Sequence, residues 1–491
     1  MTPFYVYLAM FIYVLFGTFL AFKARRGMKE GLLEYFLSGR SIGGFVAALS
    51  YSATTYSAFM MVGLAGFTYS GGVGALGFEL VYLSGLALVA FFGPRFWLVG
   101  EKFNYISPYE MLGDRYDNKL IPLLLAISAC VFLIPYLAVQ LMGVGYLMSG
   151  LSNGAIPFMM GVIIATVVAI AWALIAGMKS VVWTDSLQSL IMIIVSVFIL
   201  FFIVYRHLGG FANFFAILEK DHAQFLSVPG PGFFNFKVFL GLTLPWFFFS
   251  ISNPQVSQRL FVPKSLSAMK TMIRGFLGFG LIYTLVSVLW GFSALVLMPG
   301  LEKADMATPA LLGSEYVPTI LGLIAMVGIT AAAISTIDSI MLTLSSVVVR
   351  DIYRNTGNDS GNSQLRFGKI VIIVIALIGL WFASKQLDLI ATLSVASSVG
   401  LLVSVPSIFG AFFWKDATAS GSIWSILSGS FIAIYFQFAG IKPFGYWPGV
   451  WTLIVSTLVF IIVSVLTEAP DKKASEFLGY LNSELKKRNI L

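Results

Sequence analysis

Apolar runs of about the length that crosses a bilayer alternate with short polar segments along the whole chain. A transmembrane helix needs about 20 mainly apolar residues, and on this criterion the sequence predicts about thirteen spans. The polar segments between them are short, so we expect one all-α integral membrane domain over residues 1–491. The predicted spans are 4–22, 42–69, 76–98, 120–148, 157–176, 182–205, 238–257, 273–297, 317–349, 370–383, 390–414, 422–438 and 447–466.

Two predicted spans contain polar residues and helix breakers near mid-length. The second carries hydroxyl residues at 50–57 followed by Gly63 and Gly66, and the seventh carries Pro245 and the polar segment 250–254. Broken backbone at membrane depth is tolerated where it is buried in protein or lines a cavity, and paired breaks point to a transporter's binding site. The breaks lie five spans apart, which predicts two inverted five-helix repeats. The chain then divides into a first helix with a basic loop (1–41), a first repeat (42–206), a second repeat (235–414) and two extra helices with a tail (415–491).

Composition agrees with a membrane protein. Hydrophobic residues make up 58% of the chain and charged residues 11%, and the mean hydropathy is +0.92. No soluble fold could bury this much apolar surface. The first run has no basic segment before it and no small-residue cleavage site, so we expect a retained span rather than a signal peptide. Cys130 is the only cysteine, which excludes an internal disulfide.

The basic residues predict the orientation in the membrane. All but six of the 30 Lys and Arg residues fall in alternate loops, counted from the loop after the first span. Because such residues mark cytoplasmic loops, we expect the N-terminus outside, the C-terminus in the cytoplasm and a location in the plasma membrane. The formal charge of +8 then follows from topology and gives no support to a nucleic-acid partner. The six exceptions are Arg206, Lys220, Lys237, Lys303, Lys385 and Lys442.

The ninth span contains a cluster of hydroxyls and one carboxylate. Ala332, Ser335, Thr336 and Ser339 are spaced to share one helical face, and Asp338 lies beside them. A carboxylate at the centre of a membrane helix costs roughly 2.5–3.5 kcal/mol, so it normally faces protein, an ion or water. Together with carbonyls freed by the break at Ala53 and Tyr56, the face predicts a neutral oxygen cage for a sodium ion. Alternatively, the hydroxyls bond back to their own helix or join neighbouring helices.

Asp185 is a second acidic residue at the predicted start of a span, the sixth. It could complement the helix dipole there, with Thr184 as the cap. Alternatively, Asp185, Asp338 and Ser339 form a second cation position.

Five short segments, in this order and at these spacings, resemble the sodium/solute symporter family over the full length of the chain. They are 57–66, 182–188, Gln258-Arg259, Ser335-Thr336 and 350–353. The resemblance implies a LeuT-type fold with a sodium site made by the carbonyls of Ala53, Tyr56 and Ala332 and the hydroxyls of Ser335 and Thr336. In some members a second sodium uses residues like Asp185, Ser335 and Ser339, with a hydroxyl where this chain has Asp338. The resemblance therefore implies an altered second site, which either binds sodium more tightly or takes a proton instead.

The resemblance also implies where the solute binds. By similarity to proline carriers, Tyr136, Trp246, Ser250 and Pro254 face the solute, and Gln140 adds an amide one turn from Tyr136. Aromatic walls with a few polar groups suit a small organic solute, although aromatic residues this frequent also occur in the core or facing lipid.

Two positions bear on the class of solute. Sugar carriers have a gating tyrosine roughly at Phe249 or Ser250, and no tyrosine stands there. Proline carriers have an aspartate at Thr55, which weakens a proline assignment. A small amino acid or a monocarboxylate is therefore favoured over a sugar.

The function expected from the sequence is sodium-coupled symport that imports a small organic solute by alternating access. A proton-coupled carrier of the same fold and a solute-sensing membrane protein are the alternatives. The sensor is less favoured, because only about 25 residues follow residue 466 and they contain no kinase-like segment. We do not expect an enzyme, because His207 and His222 are the only histidines and no nucleophile–base set is evident.

Overall fold

Helices form almost all of the regular structure, as the apolar runs predict. The computed structural model of the protein describes residues 2–26, 30–354, 357, 360–386 and 390–490; Lys29 of the basic loop lies outside them. Within these residues, eleven helices are long and apolar enough to cross a membrane, and a twelfth span is a bent pair of helices, Gly44–Thr55 and Phe59–Gly71. The eleven are Pro3–Arg25, Gly74–Phe103, Leu120–Leu151, Phe158–Ile175, Gly177–His207, Leu266–Leu297, Thr319–Tyr353, Gly361–Ser384, Thr392–Phe413, Ala419–Ala439 and Pro448–Leu466.

The predicted break in the second span is present. The two helices of the pair meet at an angle of 50°. Between them, Tyr56 leaves the helical conformation with φ −99° and ψ 77°, and the second helix starts with a π-helical segment at Phe59–Leu64. Such wide turns commonly occur at functional sites.

The seventh predicted span is not one continuous helix. A helix of 12 residues, Phe236–Phe247, is followed by two helices of four residues, Phe249–Ser252 and Pro254–Ser257. Asn253 between them is extended (φ −83°, ψ 114°), and its side chain accepts a hydrogen bond from the backbone N–H of Gln255. The residue before a proline avoids the helical region, and Asn and Pro are favoured cap and first-turn residues. The sequence Asn253-Pro254 therefore ends one helix and starts the next.

The fifth and sixth spans, Phe158–Ile175 and Gly177–His207, are separated by a sharp bend of the backbone at Gly177. Gly177 has φ +55°, and a side chain there would meet the carbonyl oxygen of Tyr35 at 2.5 Å. Because the sixth helix begins at Gly177, Asp185 lies two turns inside it and Thr184 is not its cap. The Thr184 hydroxyl donates instead to the carbonyl of Ser180, 3.0 Å away. The capping alternative for this pair is therefore wrong.

The spans of the two predicted repeats form the centre of the molecule. In the ninth and eleventh spans, 72% and 89% of the most apolar segment is buried inside the protein, against 28% in the first and twelfth spans and 33% in the thirteenth. Outward-facing side chains of these outer spans include Phe4, Phe11 and Phe438. The outer helices therefore present their apolar surface to lipid.

The loops that carry the basic residues contact one another on one face of the molecule. This face also holds the short helix Pro108–Arg115 and the amphipathic helix Asp471–Lys487. The contacts agree with the alternation of loops expected from the charge pattern. Ion pairs on this face join Lys179 to Glu34, Arg350 to Glu110 and Lys473 to Asp114. Other short helices in loops are Leu32–Leu37, Phe211–Asp221 and Ala307–Gly313.

Candidate functional site

The break in the second span faces the hydroxyl cluster of the ninth span. The Ser335 hydroxyl lies 2.9 Å from the Ala332 carbonyl oxygen and 3.2 Å from that of Ala53. The Thr336 hydroxyl lies 3.1 Å and 3.4 Å from the same two oxygens. Tyr56 is the first residue after the helix Gly44–Thr55, three residues beyond Ala53, and it is fully buried. The structure thus brings four of the five predicted sodium ligands together and places the fifth at the break.

This oxygen cluster fits a sodium ion by its donor chemistry. Carbonyls in the last turn of a helix have no N–H partner within that helix, and a hydroxyl that donates its proton still has lone pairs. The cluster is neutral and buried, and hard cations prefer such oxygen ligands. Among the described residues no group of His, Cys, Asp and Glu side chains could hold a metal ion, so backbone and hydroxyl oxygens carry the fit.

The second predicted cation position contains a buried arginine. The Arg259 guanidinium lies 3.1 Å from Asp185 Oδ2, and both side chains are at most 4% exposed. It also donates to the hydroxyls of Ser50 and Ser339. Ser50 donates in turn to Asp185 Oδ2 at 2.9 Å. Asp185 and Ser339 are therefore brought together as predicted, but a guanidinium lies between them.

Asp338 completes this cluster electrostatically. Its side chain is buried, and its carboxylate interacts with the charges of both Asp185 and Arg259. Its Oδ1 has no hydrogen-bond partner within the part of the chain that the structure describes. Two carboxylates thus share one guanidinium.

Three of the predicted solute residues form one aromatic wall. The rings of Trp246 and Phe249 stack with centroids 4.9 Å apart and an interplanar angle of 7°. Tyr136 stands nearly perpendicular to both, at 6.5 Å from Trp246 and 6.1 Å from Phe249. None of the three is more than 1% exposed. The wall is therefore closed off from both faces of the molecule.

The remaining predicted solute residues have different environments. The Ser250 hydroxyl donates to the Gly85 carbonyl oxygen at 3.3 Å, which ties the broken span to the third. Gln140 is buried one turn from Tyr136, and neither atom of its amide has a hydrogen-bond partner within the described residues. Pro254 begins the short helix after the break, beyond the aromatic wall along the chain.

The sequence did not reveal several residues of this region. Phe59 stacks on Trp246 at 4.6 Å from the second span, and Tyr82 packs edge-on against Trp246 at 4.6 Å from the third. Aromatic residues are too frequent here for these two to stand out. Arg259 and Glu79 could have been singled out from the sequence, because each is a charged residue in or next to an apolar run.

Two interrupted spans, a buried oxygen cluster at one break and an aromatic wall at the other, define a helical membrane transporter. The chain belongs to the sodium:solute symporter family, whose model matches residues 35–429. This confirms the resemblance found in the sequence, and the family is one of transporters.

Curated relatives of the chain are similar over nearly their full length. The sodium/pantothenate symporter of Escherichia coli (strain K12) is 25% identical over 470 residues, which cover 93% of this chain and 95% of the relative. The high-affinity proline transporter PutP of Bacillus subtilis (strain 168) is 26% identical over 462 residues, with 91% and 95% covered.

Solved structures confirm the LeuT-type fold. A Na+-coupled sialic acid symporter, in a substrate-bound outward-open state, superposes with a TM-score of 0.80 at 20% identity, covering 95% of this chain and 98% of that one. MhsT in complex with L-phenylalanine gives a TM-score of 0.52 at 16% identity, with 86% and 97% covered. At these identities the likeness shows the fold alone.

Proposed function

We propose that the protein imports a small organic solute by alternating access and couples this transport to sodium bound by Ala53, Tyr56, Ala332, Ser335 and Thr336. The observation that carries the proposal is the cluster of buried oxygens where the broken second span meets the ninth span. Its ligands are neutral, and a neutral cage of carbonyls and hydroxyls has no group that takes up a proton near neutral pH. At this site sodium is therefore favoured over the proton-coupled alternative.

The aromatic wall supports a small solute with an apolar part. Tyr136, Trp246 and Phe249 supply ring surface. Gln140 lies on the same helix as Tyr136, and Ser250 and Pro254 lie with Trp246 and Phe249 in the interrupted seventh span. The relatives are named for pantothenate and proline, which agrees with an amino acid or a monocarboxylate rather than a sugar. Phe59 of the broken second span stacks on Trp246 of the wall, with ring centroids 4.6 Å apart, which connects the two proposed sites.

A second cation is part of the proposal, at a modified location. Asp185 and Asp338 carry two negative charges when ionised, and Arg259 neutralises one of them. Burying an uncompensated charge is costly, so one more cation, sodium or a proton, balances the cluster. We place it at the Asp338 carboxylate, because Arg259 already pairs with Asp185 and donates to the Ser339 hydroxyl, whereas Asp338 Oδ1 has no hydrogen-bond partner among the described residues.

Orientation follows from the loops that share a face. Their basic residues favour the cytoplasmic side, so the proposed N-terminus is outside and the C-terminus inside. The division into repeats at 42–206 and 235–414 stays a prediction of the same kind.

Solute uptake into proteoliposomes tests the proposal. A solute is first identified as a compound that raises the thermal stability of the purified protein in sodium, since ligands of the native state stabilise it. We expect uptake of the labelled compound to concentrate it when sodium is imposed outside, and to fall to equilibration when potassium replaces sodium. Concentration driven equally by a proton gradient without sodium would favour the proton-coupled alternative, and binding without any uptake would favour a sensor.

A further inference from the structure

We propose that Glu79 binds a positively charged amino group of the transported solute, an inference that rests on the proposed function. The residue lies on the third span, one helical turn before Tyr82. Neither the sequence analysis nor the sodium site assigns it a role.

Glu79 is a buried carboxylate without a hydrogen-bond partner in the part of the chain that the structure describes. Its side chain is fully buried, and neither carboxylate oxygen accepts a hydrogen bond from any described residue. An ionised carboxylate in such a place is costly unless a cation pairs with it, and intramembrane carboxylates commonly mark substrate or ion paths. No Lys or Arg of the described residues donates a hydrogen bond to Glu79, and the buried Arg259 is paired with Asp185. We therefore look for the cation of Glu79 in the transported solute.

The carboxylate lies at the edge of the aromatic wall. It interacts electrostatically with the phenol groups of Tyr56, Tyr82 and Tyr136. The residue before it, Phe78, packs against Trp246 with ring centroids 6.0 Å apart, and Tyr82 packs against the same indole. Glu79 is thus connected to Trp246 and Tyr136, which the sequence placed at the solute site.

Several other polar atoms around Trp246 also lack partners. The indole Nε1 of Trp246 and the hydroxyl of Tyr82 are buried without a hydrogen-bond partner among the described residues, as is the amide of Gln140. Buried polar groups are normally satisfied. A group of unsatisfied atoms beside one free carboxylate indicates a place built for a polar ligand.

The surroundings favour an organic ammonium over sodium or a proton. Sodium requires several oxygen ligands, whereas Phe78, Tyr82 and Trp246 give this part of the wall mainly ring surface. A proton alone would leave a buried carboxylic acid with an unpartnered O–H group. An amino group instead pairs with the carboxylate and lies against aromatic faces, which attract organic cations.

Matched pairs of compounds test the proposal on the full-length protein in lipid nanodiscs. The panel contains amino acids, simple amines and quaternary ammonium compounds, each paired with an isostere that lacks the positive charge, such as L-alanine with L-lactate and L-phenylalanine with L-phenyllactate. Binding is measured as thermal stabilisation in sodium. We expect a cationic member to bind and its isostere to bind roughly 30-fold or more weakly, because removing one partner of a buried charge pair weakens binding by at least that factor.

Glu79→Gln separates the carboxylate from the rest of the site. We expect it to lose binding of the cationic member by roughly the same factor, to keep binding of the isostere, and to remain stabilised by sodium alone. Glu79→Asp keeps the charge and should retain part of the preference. Glu101→Gln, an exposed carboxylate on the same span, should behave as the wild type.

Three outcomes overturn the proposal. In the first, no cationic compound stabilises the wild type. In the second, the ratio of the affinities for the cationic compound and its isostere is the same in Glu79→Gln as in the wild type. In the third, Glu79→Gln changes only the pH dependence of binding, which would make Glu79 a proton carrier. In each case sodium would still stabilise the wild type if the proposed function holds. Absence of any sodium effect in the wild type would instead reject the proposed function.

Discussion

At the residue scale, the hydroxyls of Ser335 and Thr336 are hydrogen-bond donors in the structure and proposed ligands of sodium. In the structure each donates to carbonyls of its own helix and to the carbonyl of Ala53 across the break. In the proposed sodium site, the same oxygens turn toward the ion. Bonding back to the helix, the alternative considered from the sequence, is therefore compatible with ligation.

Replacing Ser335 or Thr336 with Ala should raise the sodium concentration for half-maximal uptake about fivefold. The reason is that one of five oxygens is lost, at a cost of about 1 kcal/mol for a hydrogen-bond-like contact. Ser345→Ala is the control, because Ser345 is buried on the same helix but donates to the carbonyl of Gly368 at 2.9 Å. Unchanged sodium dependence in both Ser335→Ala and Thr336→Ala would show that sodium binds elsewhere.

At the element scale, the seventh span is defined by two asparagine caps with different surroundings. Asn235 caps the helix Phe236–Phe247 by accepting from the N–H of Val238 at 3.2 Å, close to the surface. Asn253 caps the next short helix in the same way but is fully buried, and its Nδ2 has no partner within the described residues. Both helices thus begin with an asparagine N-cap, and Asn253 is the cap that lies at the break.

The two caps allow stability and transport to be separated. Asn235→Ala and Asn253→Ala should each lower stability by about 1 kcal/mol, the usual cost of losing an N-cap, seen as similar drops in apparent melting temperature. Asn253→Ala alone should also weaken solute binding, because it removes a buried donor at the break. Asn253→Ser keeps a neutral capping oxygen but not the amide donor, so it should recover stability without affinity. Equal solute binding in all three variants would limit Asn253 to a capping role.

At the scale of the whole molecule, the number of coupled cations fixes how far the solute can be concentrated. A cation moving down 100 mV contributes about 2.3 kcal/mol, and a tenfold gradient contributes about 1.4 kcal/mol more. One coupled cation therefore supports roughly 500-fold accumulation of a neutral solute, and two support on the order of 10⁵-fold. The charge balance of Asp185, Asp338 and Arg259 decides between these cases.

Asp338→Asn should lower the charge carried per solute toward one, since it removes the carboxylate that the second cation balances. Asp185→Asn is the comparison variant. It removes the partner of Arg259, whose charge then neutralises Asp338, so we expect the second cation to be lost here too. This variant also breaks the buried ion pair. The reversal potential of solute-dependent current in proteoliposomes measures the stoichiometry. A value of one charge per solute in the wild type and both variants would leave the two aspartates with a structural role.

The sequence alone determined most of the spans, the two breaks and the helical face that carries Ala332, Ser335 and Thr336. In a bilayer every backbone polar group needs an internal partner, so apolar length and helix-breaking residues such as Asn253-Pro254 specify helices and their interruptions locally. The spacing of Ala332, Ser335 and Thr336 likewise fixes their common face through helix geometry. The break predicted at 250–254 in the seventh span is present, and it divides this span into a helix of 12 residues and two helices of four residues.

Only the tertiary structure decided which charges meet and which remain unpaired. Arg259 and Asp185 are 74 residues apart, and the contact between them arises from packing of the seventh region against the sixth span. Packing of the third span likewise buries Glu79, one turn from Tyr82, without a hydrogen-bond partner among the described residues. Helical periodicity orders side chains within one helix, whereas the pairing of charges between helices depends on how the helices are placed in three dimensions.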